Sequence, residues 1–328
     1  MQWIQNLFEL AQQWLFQSAV QPILYSFGLG GMLEDAFVAT GWLVAGLVQI
    51  GVMLALIGPL QRWRPVDAST DATEVRTDVV YTLLHRLGIF RVALFFSVEP
   101  LFDQLFGWLR VMGMGTVHID QWMAGVTDHP LLSFALYLVV FDFFDYWIHR
   151  GQHGFNWWWS LHSLHHSQRS MTMWSDNRNH LLDDLIRDSL IVILGQLIGV
   201  GPGQFIGLVV IAQLSESLQH ANVRMHFGWL GERLWVSPRY HRMHHAIGLG
   251  HETDAERGEH LVYGQSPALG GHNFGVLLPW WDMLFGTANF EIRYEPTGIR
   301  DQVESGREYG RGFWEQQKLG LLRLVGRA

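Results

Sequence analysis

The sequence predicts an all-α integral membrane helical bundle, with three spans, a broken helical hairpin and a cytoplasmic, histidine-rich helical cap. Three observations predict it. Hydrophobic residues make up 49% of the 328 and charged residues only 16%, well below the roughly 25% charged of ordinary soluble domains. Apolar runs of about the length a bilayer requires recur, one of them, Ala36–Leu60, without a charge. Histidines gather in patterned boxes at the ends of these apolar or aromatic stretches. The 16 Trp and 20 Phe add the aromatic residues that membrane interfaces favour.

Residues 1–130 are read as an interfacial helix and the first spans, 131–290 as a histidine-box region and 291–328 as a polar tail. In residues 1–30, Trp3, Leu7, Leu10, Trp14 and Leu15 recur at helical spacing. Such a helix lies in the membrane interface or packs on a neighbouring span. The uncharged run Ala36–Leu60 is the first span, because about 20 residues suffice to cross. A polar loop with Arg62, Arg64 and Arg76 follows. Val79–Leu101 is the second span, interrupted by His85, Arg86 and Arg91, and 102–128 is an interfacial loop on the opposite side. Leu131–Ile148 is the third span.

The apolar block 190–214 breaks at Gly199-Val200-Gly201-Pro202-Gly203. Each half has about a dozen apolar residues, short of a full crossing, so a hairpin that dips in or returns is expected. That return also keeps the histidines before and after it on one side. Arg collects in the loop 61–78 and in the histidine-bearing segments, whereas 102–128 holds one, which places the histidines on the cytoplasmic side. The N-terminus lacks a basic stretch and an A-x-A site, so no cleaved signal peptide is expected.

Composition also excludes classes of function. A formal charge of −8 without a basic stripe argues against nucleic-acid binding. With no cysteine, disulfides, Cys-ligated iron–sulfur clusters, thiolate haem and Cys-type zinc sites are ruled out.

The chemistry resides in three boxes. His149 and His153 form H-x-x-x-H; His162, His165 and His166 form H-x-x-H-H, repeated as His241, His244 and His245. Positions i, i+3 and i+4 share a helix face, so each box is expected to aim its imidazoles in one direction. Neutral imidazole is the commonest metal-binding side chain. Eight histidines exceed one tetrahedral site of four ligands, so two metals fit better. The Glu-x-x-His signature of carboxylate di-iron bundles is absent, and His251-Glu252 fails as H-E-x-x-H because Ala255 holds the last position. Histidine ligation of two irons beside membrane spans suits attack by O2 on an apolar C–H bond. Asp142, Asp145 and His149 follow helical spacing. Asp145 is a candidate to hold the outer ring N–H of a ligand histidine, the alternative being a capping or arginine-paired acid. Trp157–Trp159 borders a substrate passage or belongs to the interfacial aromatic belt.

The runs DFFDYWIHRGQH, LHSLHHS, HANVR, SPRYHRMHHA and NFGVLLPWWDMLFGT, spread over roughly Leu131–Thr287, resemble the fatty acid hydroxylase/sterol desaturase superfamily in its bacterial form. The resemblance implies a helical membrane enzyme with a non-haem di-iron centre that hydroxylates or desaturates a lipid with O2. It carries the ligand role to the eight box histidines. It adds a histidine between the second and third boxes, for which His220 is the best match and His226 the second candidate. It makes His180, in NRNHLLDD, structural or supporting. It also marks 246–271 as an insertion: a lid, a wall for one substrate, or tolerated length. No electron carrier is fused to the chain, so a separate electron-donor protein is expected, and zinc could replace iron in a purified sample. Two other readings remain: a non-catalytic membrane metal-binding or transport protein, and a zinc-dependent lipid hydrolase. The bacterial inner membrane is the expected location.

Overall fold

The computed structural model describes residues 2–123, 125–247 and 271–328. Among the described residues every regular element is helical, with one isolated antiparallel bridge between Ala246 and Thr297. The chain divides into two compact units, residues 1–55 with 83–114, and 56–82 with 115–328.

In the first unit, α1 (Gln2–Leu15) and α2 (Gln21–Ser26) flank a π-helical turn, and α3 (Leu33–Val52) follows. The spacing read from the sequence makes α1 amphipathic. Its side toward α3 gives the Gln12 amide to the Phe37 carbonyl at 2.8 Å, and Phe16 meets Phe37 edge-on. Trp3, Leu7, Leu10 and Trp14 are exposed together on the other side. The packing on a neighbouring helix foreseen for α1 is therefore present, and its apolar side is left exposed. Gly46 of α3 sits where a Cβ would fall 1.6 Å from the Arg86 carbonyl oxygen, so only glycine fits.

α3 runs on through a π-turn at Met53–Ile57 into α4 (Gly58–Trp63), making one continuous helix from Gly30 to Trp63. This helix and α8 (Pro130–Gly154) are long and apolar enough to cross a membrane. Only 39% and 33% of their most apolar windows are buried, whereas the core helix of a soluble domain hides most of its apolar surface. The expected second span is not one helix. Val79–Leu101 is divided among α5 (Ala72–Arg86), α6 (Ile89–Ser97) and α7 (Glu99–Val111). Gly88, in the left-handed conformation at φ 77°, ends the first piece, and Pro100 starts the third. Two long apolar helices thus stand where three spans are expected.

The second unit is built on α8, α9 (Asn156–His166), α10 (Leu181–Ile198) and α11 (Pro202–His220). The hairpin expected at 199–203 is present. α10 stops at Gly199, left-handed at φ 71°, and Pro202 opens α11 at a position where its missing N–H costs nothing. A Cβ on Gly199 would lie 2.5 Å from His118 Nδ1. The Tyr137 hydroxyl on α8 lies within hydrogen-bond reach of Asp120 and of the carbonyls of Ile198 and Gly199, tying the hairpin tip over a core of Ile119, Phe141, Leu194 and Leu208. The arms have 18 and 19 residues, longer than their apolar parts, because their polar ends continue toward the histidines.

Two short helices, α12 (Gly228–Gly231) and α13 (Pro238–His244), carry the chain to the third box, and α14 (Trp280–Phe285) follows it. The segment 273–287 is fixed by two buried carboxylates. Asp142 accepts from the amides of Leu277 and Leu278 and from the Trp281 indole. Asp282 accepts from the amides of Phe274 and Gly275 and from Thr287 and Tyr240. Asn273 adopts φ 61°, a left-handed geometry that asparagine tolerates, and its amide bonds the carbonyls of Tyr240 and Asn289. After α15 (Arg300–Glu304), α16 (Phe313–Leu324) packs on α9. Gln317 links it to Tyr81 and Asn179.

Candidate metal centre

Eight buried histidines converge in two groups of four. His149, His153, His162 and His166 form one quartet; His165, His220, His241 and His245 form the other. Within each, four ring nitrogens lie within 4.8 Å of one another. The quartets adjoin, since the rings of His166 and His245 stack at 4.3 Å.

Helical periodicity explains the sorting. On α8, His149 and His153 are one turn apart, and on α9 so are His162 and His166, so two adjacent helices supply the whole first quartet. His165, between the members of the α9 pair, is turned away from them into the second quartet. The third box does the converse: His241 and His245 enter the second quartet, and His244 stands against the first, 4.5 Å from His149 and 4.7 Å from His166 between ring centroids. Each H-x-x-H-H box therefore serves both groups rather than aiming in a single direction, which corrects the sequence expectation. His220, at the end of α11, completes the second quartet.

Hydrogen bonds orient the rings. A carbonyl oxygen can only accept, so a ring nitrogen beside one must carry the proton, leaving the other nitrogen with its lone pair. His149 Nδ1 lies 2.8 Å from the Phe274 carbonyl, His220 Nδ1 2.9 Å from that of Glu216 and His244 Nδ1 2.8 Å from that of His272. His162 Nδ1 meets Asp183 Oδ2 at 2.9 Å. The other Asp183 oxygen accepts from Gln152 at 2.8 Å and from the Trp158 indole at 2.7 Å. These are the outer-shell bonds that fix the tautomer and ring angle of a metal-ligating histidine.

The donor set fits metal ions. His220 Nε2, left with its lone pair, lies 3.2 Å from both His165 Nε2 and His241 Nε2, and His241 Nε2 lies 3.1 Å from His245 Nε2. Bonds of about 2.0–2.1 Å to one tetrahedral ion put neighbouring nitrogens roughly 3.3 Å apart, close to these separations. His162 Nε2, on the far side of the ring from the Nδ1 that meets Asp183, has no hydrogen-bond partner among the described residues although buried, and an orphaned buried nitrogen is costly unless an ion or water takes it. Burial, followed by the repulsion of neighbouring imidazoles, holds His165, His241 and His245 well below their ordinary pKa. These rings are therefore neutral and able to ligate at neutral pH. Phe274 and Trp159 close the first quartet, with Phe274 centred 5.2 Å from His153 and Trp159 5.4 Å from His166.

Two expected residues stand elsewhere. His226, directly after the irregular segment 221–225, is exposed, and its Nδ1 accepts from the Gly228 amide at 3.1 Å. It joins neither quartet, because the helix that positions His220 ends at that residue and the irregular segment gives His226 no place on its inner face. Asp145 does not touch a histidine; it pairs with Arg187 at 3.0 Å. Helical spacing puts Asp145 on the side of His149, but the arginine on α10 reaches it there. The carboxylate that does hold a ligand ring is Asp183, which sequence reasoning missed. The paired Asp183 and Asp184 were visible, but two acids in the first turn are also what any helix N-terminus favours. His180 caps that helix, accepting from Leu182 N at 3.1 Å, while its Nε2 meets the Gln317 carbonyl at 2.9 Å. Most of the insertion at 246–271, including His251 and His260, lies outside the described residues. His272 contributes its backbone carbonyl.

The sequence model of the fatty acid hydroxylase family matches residues 134–287. The ornithine lipid hydroxylase OlsE of Rhizobium tropici is 26% identical over 257 residues, 77% of this chain and 70% of that protein. Methylsterol monooxygenase 1-3 of Arabidopsis thaliana is 24% identical over 229 residues, 66% of this chain and 68% of that protein. No solved structure matches the chain.

Proposed function

We propose that this chain, which belongs to the fatty acid hydroxylase/sterol desaturase superfamily, is a membrane-bound di-iron, O2-dependent lipid hydroxylase or desaturase. The observation that carries the proposal is the pair of adjoining all-histidine quartets. Two iron ions bound there would supply reductive activation of O2 toward a C–H bond. Electrons come from a separate donor protein.

The chain's own residues do the rest. His149, His153, His162 and His166 would hold one ion, with His244 beside them, and His165, His220, His241 and His245 the other. Asp183 keeps the His162 proton on Nδ1, so Nε2 presents its lone pair, and the Phe274, Glu216 and His272 carbonyls do the same for His149, His220 and His244. Phe274 and Trp159 keep bulk water from the first quartet, which protects a reactive oxidant from side reactions. Two helices long and apolar enough to cross a membrane, Gly30–Trp63 and α8, support a membrane location, and the α8 ligands His149 and His153 stand near the C-terminal end of that helix. We assign that end to the cytoplasmic side of a bacterial inner membrane, on the positive charge of the adjoining loops.

The test is metal content and O2 consumption of detergent-purified protein after anaerobic reconstitution with ferrous iron. Two irons per chain, a coupled di-ferric Mössbauer signal and O2 uptake matched by hydroxylated or desaturated lipid are expected. Turnover without O2 or reductant would instead establish a zinc-dependent hydrolase. Two bound metals without any turnover would leave a metal-binding protein.

A further inference from the structure

Two arginines line one cleft without a carboxylate partner among the described residues. The cleft, of about 300 Å³, opens beside the last turn of the Gly30–Trp63 helix and is lined by Leu60, Trp63, Arg64, Arg224, His226 and Tyr294, among others. Its walls follow from three local features. Trp63 ends the apolar helix and is 75% exposed, as interfacial tryptophans are. Segment 222–225 is stitched in place: Asn222 receives the amides of Val66 and Asp67, and the Arg224 amide bonds the Arg64 carbonyl at 2.7 Å. Segment 291–295 alternates, with Arg293 paired to Glu291 and Glu295 while Ile292 and Tyr294 face the cleft.

No carboxylate lines this cleft, and the acids nearby are engaged elsewhere. Asp67 pairs with Arg242, Glu232 with Arg239, and Glu291 and Glu295 with Arg293. Arg178 and Arg187 likewise face carboxylates. Arg64 and Arg224 face none among the described residues; Arg224 lies 4.9 Å over the Tyr294 ring. In a chain of charge −8, two uncompensated guanidiniums beside an apolar helix end form a site for an anionic head with an alkyl tail. The site is also near the metal centre, since the four residues from His220 to Arg224 span at most about 14 Å.

We propose that this cleft holds the phosphate or carboxylate head of the amphiphile whose chain the histidine centre oxidises. The substrate class is thus an anionic or zwitterionic lipid rather than a neutral one. The inference rests on the proposed function for the word substrate, but binding can be measured without turnover.

The test uses the metal-loaded full chain in nanodiscs of uncharged lipid. Binding of dodecyl phosphate, laurate, dodecanol and inorganic phosphate is compared for wild type, Arg64→Gln/Arg224→Gln and Arg224→Lys. Dodecyl phosphate and laurate should bind wild type at least about tenfold more tightly than dodecanol, with affinity falling as salt rises. The double variant should lose that preference while keeping its metal content, and the lysine variant should retain part of it. Tight binding of inorganic phosphate alone would make this a free-anion site and overturn the assignment to a lipid head. Equal binding of all three chains, or an unchanged double variant, would overturn it too. If the preference is found but no lipid is oxidised under O2 and reductant, the head-group site stands and the oxygenase reading falls.

Discussion

The two histidine quartets differ in how they are built. The first comes from two consecutive helices, α8 and α9, with each pair of ligands one turn apart, and two of its four rings are held from outside, by Asp183 and the Phe274 carbonyl. The second draws on α9, α11, α13 and the residue that follows it, and among the described residues only His220 has its outer nitrogen held, by a carbonyl of its own helix. The first is thus a local construction with strong outer support, the second a long-range one assembled by folding. Arg187 joins them. It pairs at once with Asp145, four residues before His149, and with Glu216, four before His220, so one α10 side chain braces the two ligand helices.

The strongest break of this comparison is His220→Ala. It should reduce bound iron from two per chain to one and abolish turnover, whereas His162→Ala should empty the first site instead; elemental analysis with Mössbauer spectra tells which ion remains. Asp183→Asn comes next. It weakens the first site alone, by about 10–100-fold in metal affinity, read by competition with a chelator. An equal loss at both sites would show that the quartets do not have separate supports.

Arg187→Leu should act on both sites together. It leaves Asp145 and Glu216 without their cation and costs about 2–3 kcal/mol of stability, less than a fully buried pair because the side chain is 31% exposed. Urea unfolding of the metal-free protein measures it. A pH series sharpens the contrast. Burial depresses His165, His241 and His245 in the fold relative to the ordinary 6.5. The unfolded chain then binds more protons below that value, so the metal-free protein should be at full stability above pH 6.5 and lose it as the pH falls. Ala substitution of all three should flatten that dependence. The smallest effect belongs to His226→Gln, which should leave two metals per chain; a loss of one would restore His226 as a ligand.

Much of this was legible in order along the chain. The spacings mark the box histidines, and the pairs four apart, His149/His153, His162/His166 and His241/His245, each enter one group because such residues share a helix face. Gly199 and Pro202 mark the hairpin because their backbone preferences are local. The second span failed for the converse reason: apolar content over Val79–Leu101 carries no information on continuity, and Gly88 breaks the helix. Asp145 and Asp183 are the same residue type, and what separates them is tertiary: Arg187 reaches across to Asp145, whereas Asp183 meets His162.

Composition and spacing by themselves determined a helical chain with long apolar helices and grouped histidines, since periodicity and hydropathy act over a few turns. Which histidine enters which quartet, that Asp183 rather than Asp145 holds a ring, that His220 belongs and His226 does not, and that Arg64 meets Arg224 in one cleft were decided by the tertiary structure. Each depends on contacts between residues tens to hundreds of positions apart, and no local pattern encodes those distances.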